Sequence, residues 1–156
     1  MNEVLFRPAR VTDLNTLLAF EQAIIEAERP FDETIRSDDD VHYYDLRELI
    51  ESQDAEVVVG ELGSEIIASG YARIEASEKY LKHPRHSYLG FMYVVPEHRG
   101  KGINKLIVDT LESWSLSKGV PEMQLEVYAE NAAAIRAYEK AGYSGLILQM
   151  RKNIGE

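Results

Sequence analysis

Two glycines, Gly100 and Gly102, stand between a β-forming run, Tyr88-Leu89-Gly90-Phe91-Met92-Tyr93-Val94-Val95, and a stretch where Ile103, Leu106, Ile107, Leu111 and Trp114 recur at helical spacing. At such a strand-to-helix turn bare backbone can approach a ligand, and the first N–H groups of the helix lack intrahelical partners. The helix dipole adds partial positive charge, so the turn suits an anion, phosphate above all. Arg99, Lys101 and Lys105 put cations around it, although 17 Lys and Arg against 27 Asp and Glu give the chain a formal charge of −10. Glycines after a strand also serve simply as a tight turn, and the turn by itself leaves both readings open. Two common phosphate motifs fail here. A dinucleotide fingerprint starting at Gly100 needs glycine where Lys105 stands, and no Gly-Lys followed by Ser or Thr ends a P-loop string.

A second segment follows, Leu125-Glu126-Val127-Tyr128-Ala129-Glu130-Asn131, continuing into Ala132-Ala133-Ala134-Ile135-Arg136-Ala137-Tyr138-Glu139-Lys140-Ala141-Gly142-Tyr143. Residue by residue, Asn131 reads as a helix N-cap, the alanines as helix formers and Gly142 as a C-terminal stop. In order and separation, the two segments resemble the signatures of the GNAT N-acetyltransferases. The family pattern of Gln or Arg, two residues, Gly, one residue, then Gly or Ala is met by Arg99 and Gly102, with Asn104 in place of the small last residue.

The resemblance implies an α/β (α+β) acyl-CoA N-acyltransferase fold, a mixed, mostly antiparallel central sheet flanked by helices, as one domain over residues 1–156. It implies acetyl-CoA as co-substrate. The strand Met92, Tyr93 and Val94 would pair through backbone with the pantetheine arm, Arg99 would mark the turn, and amides over Gly100, Lys101, Gly102, Ile103, Asn104 and Lys105 would hold the pyrophosphate. Asn131 would add a side-chain contact to the coenzyme. The acceptor is an amine that attacks the thioester directly, with both substrates bound. Because a lysine-like amine has a pKa of about 10.4, a base or water relay assists near neutral pH. Glu126 matches the base of the ribosomal-protein N-terminal acetyltransferases, against a structural or substrate-binding role; Tyr88 and Tyr93 are secondary options. Tyr138, which would also contact the coenzyme at its sulfur, is the expected acid for the departing thiolate, and an N–H near Val94 the expected oxyanion donor. The alternative is a non-catalytic acyl-CoA-binding regulator of the same fold.

The totals exclude other classes. The chain has no cysteine, which removes disulfides, thiolate metal sites and an acyl-cysteine intermediate. His42, His83, His86 and His98 lack metal-ligand spacing, and no metal is expected. The negative charge argues against a nucleic-acid partner; it serves solubility or favours a cationic one. No apolar run approaches the roughly 18 residues of a membrane span, and Met1 to Phe6 lacks the features of a secretory signal, so a cytoplasmic protein is expected. A homodimer is compatible with all of this.

The positioning elements follow from pattern. Val4 to Phe6 reads as a first strand, and Thr12 as the cap of a helix reaching Glu28. The run Asp38-Asp39-Asp40 leads a second helical pattern from Val41 to Ile50, where it either caps the helix or attracts a basic substrate. Glu56–Leu62 and Glu65–Ile74 form a hairpin around Gly63-Ser64, followed by a polar stretch from Glu75 to His86. Beyond the glycine turn come a helix ending near Lys118-Gly119, a strand from Met123 to Tyr128, a helix from Asn131 to Lys140 and a last strand from Leu146 to Met150. Tyr43, Tyr44, Tyr71 and Tyr80 are candidates to line an acceptor pocket.

Overall fold

The computed structural model describes residues 3–155; Met1 and Asn2, part of the N-terminal stretch read for a leader, lie outside the described residues, as does Glu156. The chain divides into two units, Met1–Glu126 and Val127–Glu156.

The first unit carries a five-stranded sheet in the order β1-β2-β3-β4-β5: β1 (Leu5–Pro8), β2 (Ala55–Leu62), β3 (Glu65–Ala76), β4 (Arg85–Val94) and β5 (Met123–Gln124). The first three pairings are antiparallel and β4 with β5 is parallel, so the sheet is mixed and mostly antiparallel. Helices α1 (Leu14–Glu28), α2 (Leu46–Glu51) and α3 (Ile103–Ser117) flank it.

The pleat sorts the core into two faces. Val57, Val59, Tyr71 and Phe91 pack with Leu17, Phe20 and Ile24 of α1 and Leu46 and Leu49 of α2. On the other face α3 lies so close that a Cβ at Gly70 would collide with Ile107 and with the Met92 sulfur. Val58 is registered opposite Gly70 and shares that face. Ile103, Ile107, Val108 and Leu111 supply the buried stripe of α3. Arg7 ties β1 down by ion pairs to Asp13 and Glu61, each 2.9 Å.

Local chemistry moved several element ends. Asp45, whose carboxylate accepts from the Glu48 N–H at 3.2 Å, caps α2, so the triad Asp38-Asp39-Asp40 lies ahead of the helix in a loop and does not cap it. The turn before α1 is held by Asp13 accepting from the Arg10 N–H at 2.8 Å, rather than by Thr12. Only the ends of the polar run after Ile74 join the sheet: Glu75 and Ala76 extend β3 and pair with His86 and Arg85 at the start of β4, while residues 77–84 connect the two strands. Strand β5 ends at Gln124, short of Tyr128.

The second unit holds α4 (Ala132–Lys140). Asn131 caps it by accepting from the Ala134 N–H at 3.3 Å, and Gly142 ends it with φ 97°. Leu146 to Met150 forms no strand and its apolar side chains are exposed, since β propensity needs a partner edge to become a strand.

Candidate active site

The site grows from an irregularity in β4. Ser69 is registered with Tyr93 but Tyr71 with Gly90, so Gly70 faces both Phe91 and Met92 across a β-bulge. Phe91 takes φ 58°, a left-handed conformation that a large L-residue adopts only when its surroundings impose it. Here they do. The ring is buried, the Ser69 hydroxyl donates to the Phe91 carbonyl at 3.0 Å, and the Phe91 backbone is hydrogen-bonded to the Tyr44 hydroxyl.

Past the bulge, the Val95 N–H donates to the Ile67 carbonyl at 2.9 Å. By the alternation of an antiparallel ladder, the Tyr93 amide also faces β3, and those of Met92 and Val94 face the opposite edge. On that edge β5 pairs only with Ser87 and Tyr88 among the described residues, so the Met92 N–H and carbonyl and the Val94 N–H form an open backbone rail. The Val94 carbonyl is taken by Arg99 Nε at 2.8 Å, and the guanidinium lies 5.5 Å from the centre of the Tyr93 ring. Arg99 thus braces the strand to the turn.

The rail runs into the glycine turn. Gly100 and Gly102 have φ 79° and 80°, both in the region that favours glycine, and a Cβ on either would meet open space. Gly102 is the N-cap of α3 and offers no side-chain acceptor, while the first helical bond runs from the Leu106 N–H to the Gly102 carbonyl. The amides of Ile103, Asn104 and Lys105 therefore lack intrahelical acceptors, the arrangement that receives phosphate. Lys101 is exposed at the same turn; the Lys105 ammonium instead pairs with Asp109 at 2.9 Å, leaving its backbone as its contribution to an anion.

Glu126 lies two residues past β5. Its Oε1 accepts from the Tyr88 hydroxyl at 3.0 Å. Burial first, and then the Glu126 carboxylate, push the Tyr88 phenol pKa well up, so Tyr88 is held protonated as a donor, which disfavours it as the base. Tyr88 continues an aromatic wall through Tyr71, 6.4 Å away between ring centres, and Tyr44, 5.6 Å further, which also meets Phe91 at 5.3 Å and Tyr43 at 5.8 Å. Tyr80 is exposed on the β3–β4 loop and joins no ring contact among the described residues.

Sequence reasoning missed the anchor of this wall. Glu21, in α1, is completely buried, and its Oε2 accepts from the N–H groups of Tyr43 and Tyr44, each at 2.8 Å, while Oε1 meets His42 Nδ1 at 2.8 Å. A glutamate in an amphipathic stretch reads as a surface residue, and only its place on the core side of α1 gave a signal.

In the second unit Tyr138 is half-buried, its ring 6.1 Å from that of Tyr143, and its carbonyl accepts from the Tyr143 N–H at 3.0 Å. Asn131 spends one side-chain oxygen contact on its cap. Among the described residues no group of three or more His, Asp or Glu side chains is placed to hold a metal ion.

The sequence pattern of the acetyltransferase (GNAT) family matches residues 21–143. The chain belongs to the GNAT acetyltransferase family. Two relatives from Bacillus subtilis (strain 168) carry the names uncharacterized N-acetyltransferase YobR and YdgE. They are 39% identical over 36% of this chain and 32% identical over 46% of it. The matched stretches span only 23% and 46% of those two proteins. The fold of this GNAT chain is shared with the BH1408 protein of Bacillus halodurans, at TM-score 0.84 and 21% identity, covering 96% of this chain and 99% of the other. It is also shared with a predicted acetyltransferase from Clostridium acetobutylicum, solved with acetyl-CoA, at TM-score 0.77 and 18% identity over 97% of both chains.

Proposed function

We propose that this GNAT chain, as one domain over residues 1–156, transfers an acetyl group from acetyl-CoA to a primary amine in a ternary complex. The observation that carries the reading is the bulged β4, whose Met92 and Val94 amides face an open edge and lead directly into the Gly100/Gly102 turn and the unpartnered amides of α3. An extended amide-bearing arm pairs with such a rail, and a pyrophosphate with such a turn. The solved neighbour holding acetyl-CoA supports the same donor.

In this reading Glu126 takes a proton from the acceptor ammonium, and the free amine nitrogen attacks the thioester carbonyl. The Val94 N–H receives the developing oxyanion. As the tetrahedral intermediate collapses, its nitrogen loses the second proton to solvent, the C–S bond breaks and Tyr138 gives its proton to the coenzyme thiolate; Tyr138 then regains a proton from solvent and Glu126 releases its own. The products are the N-acetyl amide and free coenzyme thiol, with one proton released to solvent. Asn131 contributes to holding the coenzyme, and Tyr44 and Tyr71 line the approach of the acceptor. We assign the enzyme to the cytoplasm, as a monomer or homodimer; no helix among the described residues is long and apolar enough to cross a membrane.

The test is thiol release from acetyl-CoA by purified protein across a panel of small amines, amino acids and peptides. Acceptor-dependent thiol is expected. Coenzyme binding without such release across the panel would replace the transferase by an acyl-CoA-binding regulator.

A further inference from the structure

Glu126 is exposed, follows the two-residue strand β5, and lies where the chain has left the sheet. Backbone pairing alone therefore does not fix the direction of its carboxylate. The hydrogen bond that does is donated by the Tyr88 hydroxyl to Oε1 at 3.0 Å, and it is the carboxylate's side-chain partner among the described residues. We propose that Tyr88 is a positioning residue for the reaction: it holds one oxygen of Glu126 so that the other is presented to the acceptor ammonium. The inference rests on the transferase reading and on Glu126 as its base.

Tyr88 is suited to this by its own mounting. It sits inside β4, registered with Arg73 on β3 and Gln124 on β5, so its backbone is fixed from both sides. Its ring is backed by Tyr71, which is buried and lies over Gly90 so closely that a Cβ there would strike the Tyr71 ring. Tyr71 is backed in turn by Tyr44, whose amide is held by the buried Glu21. The placement of an exposed carboxylate is thus transmitted from the core through three rings. The hydroxyl is also a lasting donor, because burial and the adjacent carboxylate both favour the neutral phenol. A charge-assisted hydrogen bond of this kind orients a carboxylate more strongly than a neutral one.

The experiment is a double-mutant cycle of Tyr88→Phe and Glu126→Gln, with kcat and KM for an accepted amine, the dissociation constant for acetyl-CoA and the melting temperature measured on all four proteins. The expected result for Tyr88→Phe is a fall in kcat of about tenfold, with coenzyme affinity and melting temperature near wild type. In the Glu126→Gln background the same change should alter kcat by less than about twofold, because the group it positions no longer acts as a base. Independent, multiplying losses would overturn the proposal, as would an unchanged kcat for Tyr88→Phe. A loss of coenzyme affinity or melting temperature matching the loss of rate would assign Tyr88 a structural role instead and also overturn it. If wild-type protein turns over and Glu126→Gln is equally active, the positioning role fails while the transferase reading stands. If wild type turns over no amine, both fall.

Discussion

In the proposed mechanism Tyr138 and Glu126 divide the proton chemistry, and single-atom changes test each. Tyr138→Phe is expected to lower kcat by roughly a hundredfold, the range for losing a general acid, with the acetyl-CoA dissociation constant nearly unchanged; steady-state kinetics and calorimetry measure the two separately. Glu126→Gln should lower kcat comparably. Glu21 acts differently. Its buried carboxylate accepts two backbone N–H groups on one oxygen and meets His42 with the other, so Glu21→Gln removes the charge that strengthens all three contacts. It should cost about 2 to 3 kcal/mol in urea unfolding. Coenzyme affinity should also fall, because the Tyr43-Tyr44 segment leads through the Tyr44 hydroxyl to the Phe91 bulge. None of these pairings was visible beforehand: Tyr88 and Glu126 lie 38 positions apart, and Glu21 and Tyr44 lie 23 apart.

Among the elements, the strand–turn–helix from β4 to α3 gives the sharpest expectations. Gly102→Ala forces a Cβ into a left-handed N-cap, costing about 1 to 2 kcal/mol of stability and weakening coenzyme binding if the turn relaxes to relieve it. Denaturant midpoints and titration calorimetry read the two effects. Asn104→Gly should leave coenzyme affinity within about threefold, since the backbone amide is what the helix start offers; a tenfold loss, about 1.4 kcal/mol, would show that the side chain contributes. This segment was the most legible in the sequence, because two glycines between a β-forming run and an apolar helical stripe are local signals. The bulge was not legible. Phe91 is an unremarkable strand residue until Ser69, Tyr44 and α3 close around it.

For the whole molecule, linkage connects folding to pH and ligand. His42 sits above the ordinary histidine value of 6.5, first through its hydrogen bond to Glu21, then through that carboxylate's charge and that of Asp40. The folded state therefore holds its proton more tightly than the unfolded one. The stabilisation is complete below about pH 6.5 and is lost as pH rises through the raised folded value. The unfolding midpoint should accordingly drift down across that window in wild type and lose that component in His42→Ala. Acetyl-CoA at a hundredfold over its dissociation constant should add about 2.7 kcal/mol to stability, and a concentration-independent melting temperature would contradict binding to the folded chain.

By itself the sequence determined the glycine turn between a strand and a helix, because propensity, period and capping are written in neighbouring residues, and through its resemblance to a family it pointed to the mixed sheet with flanking helices and to acetyl transfer. It was weaker wherever a side chain's meaning depends on distant partners. The triad Asp38-Asp39-Asp40 looked like a cap that Asp45 in fact supplies, and the Leu146 to Met150 run looked like a strand that pairs with nothing described. Only the tertiary structure decided that Glu21 is buried, that Phe91 is bent into a bulge and that Tyr88 is a donor to Glu126. Burial and hydrogen-bond geometry are properties of what packs around a residue, and no spacing along the chain encodes them.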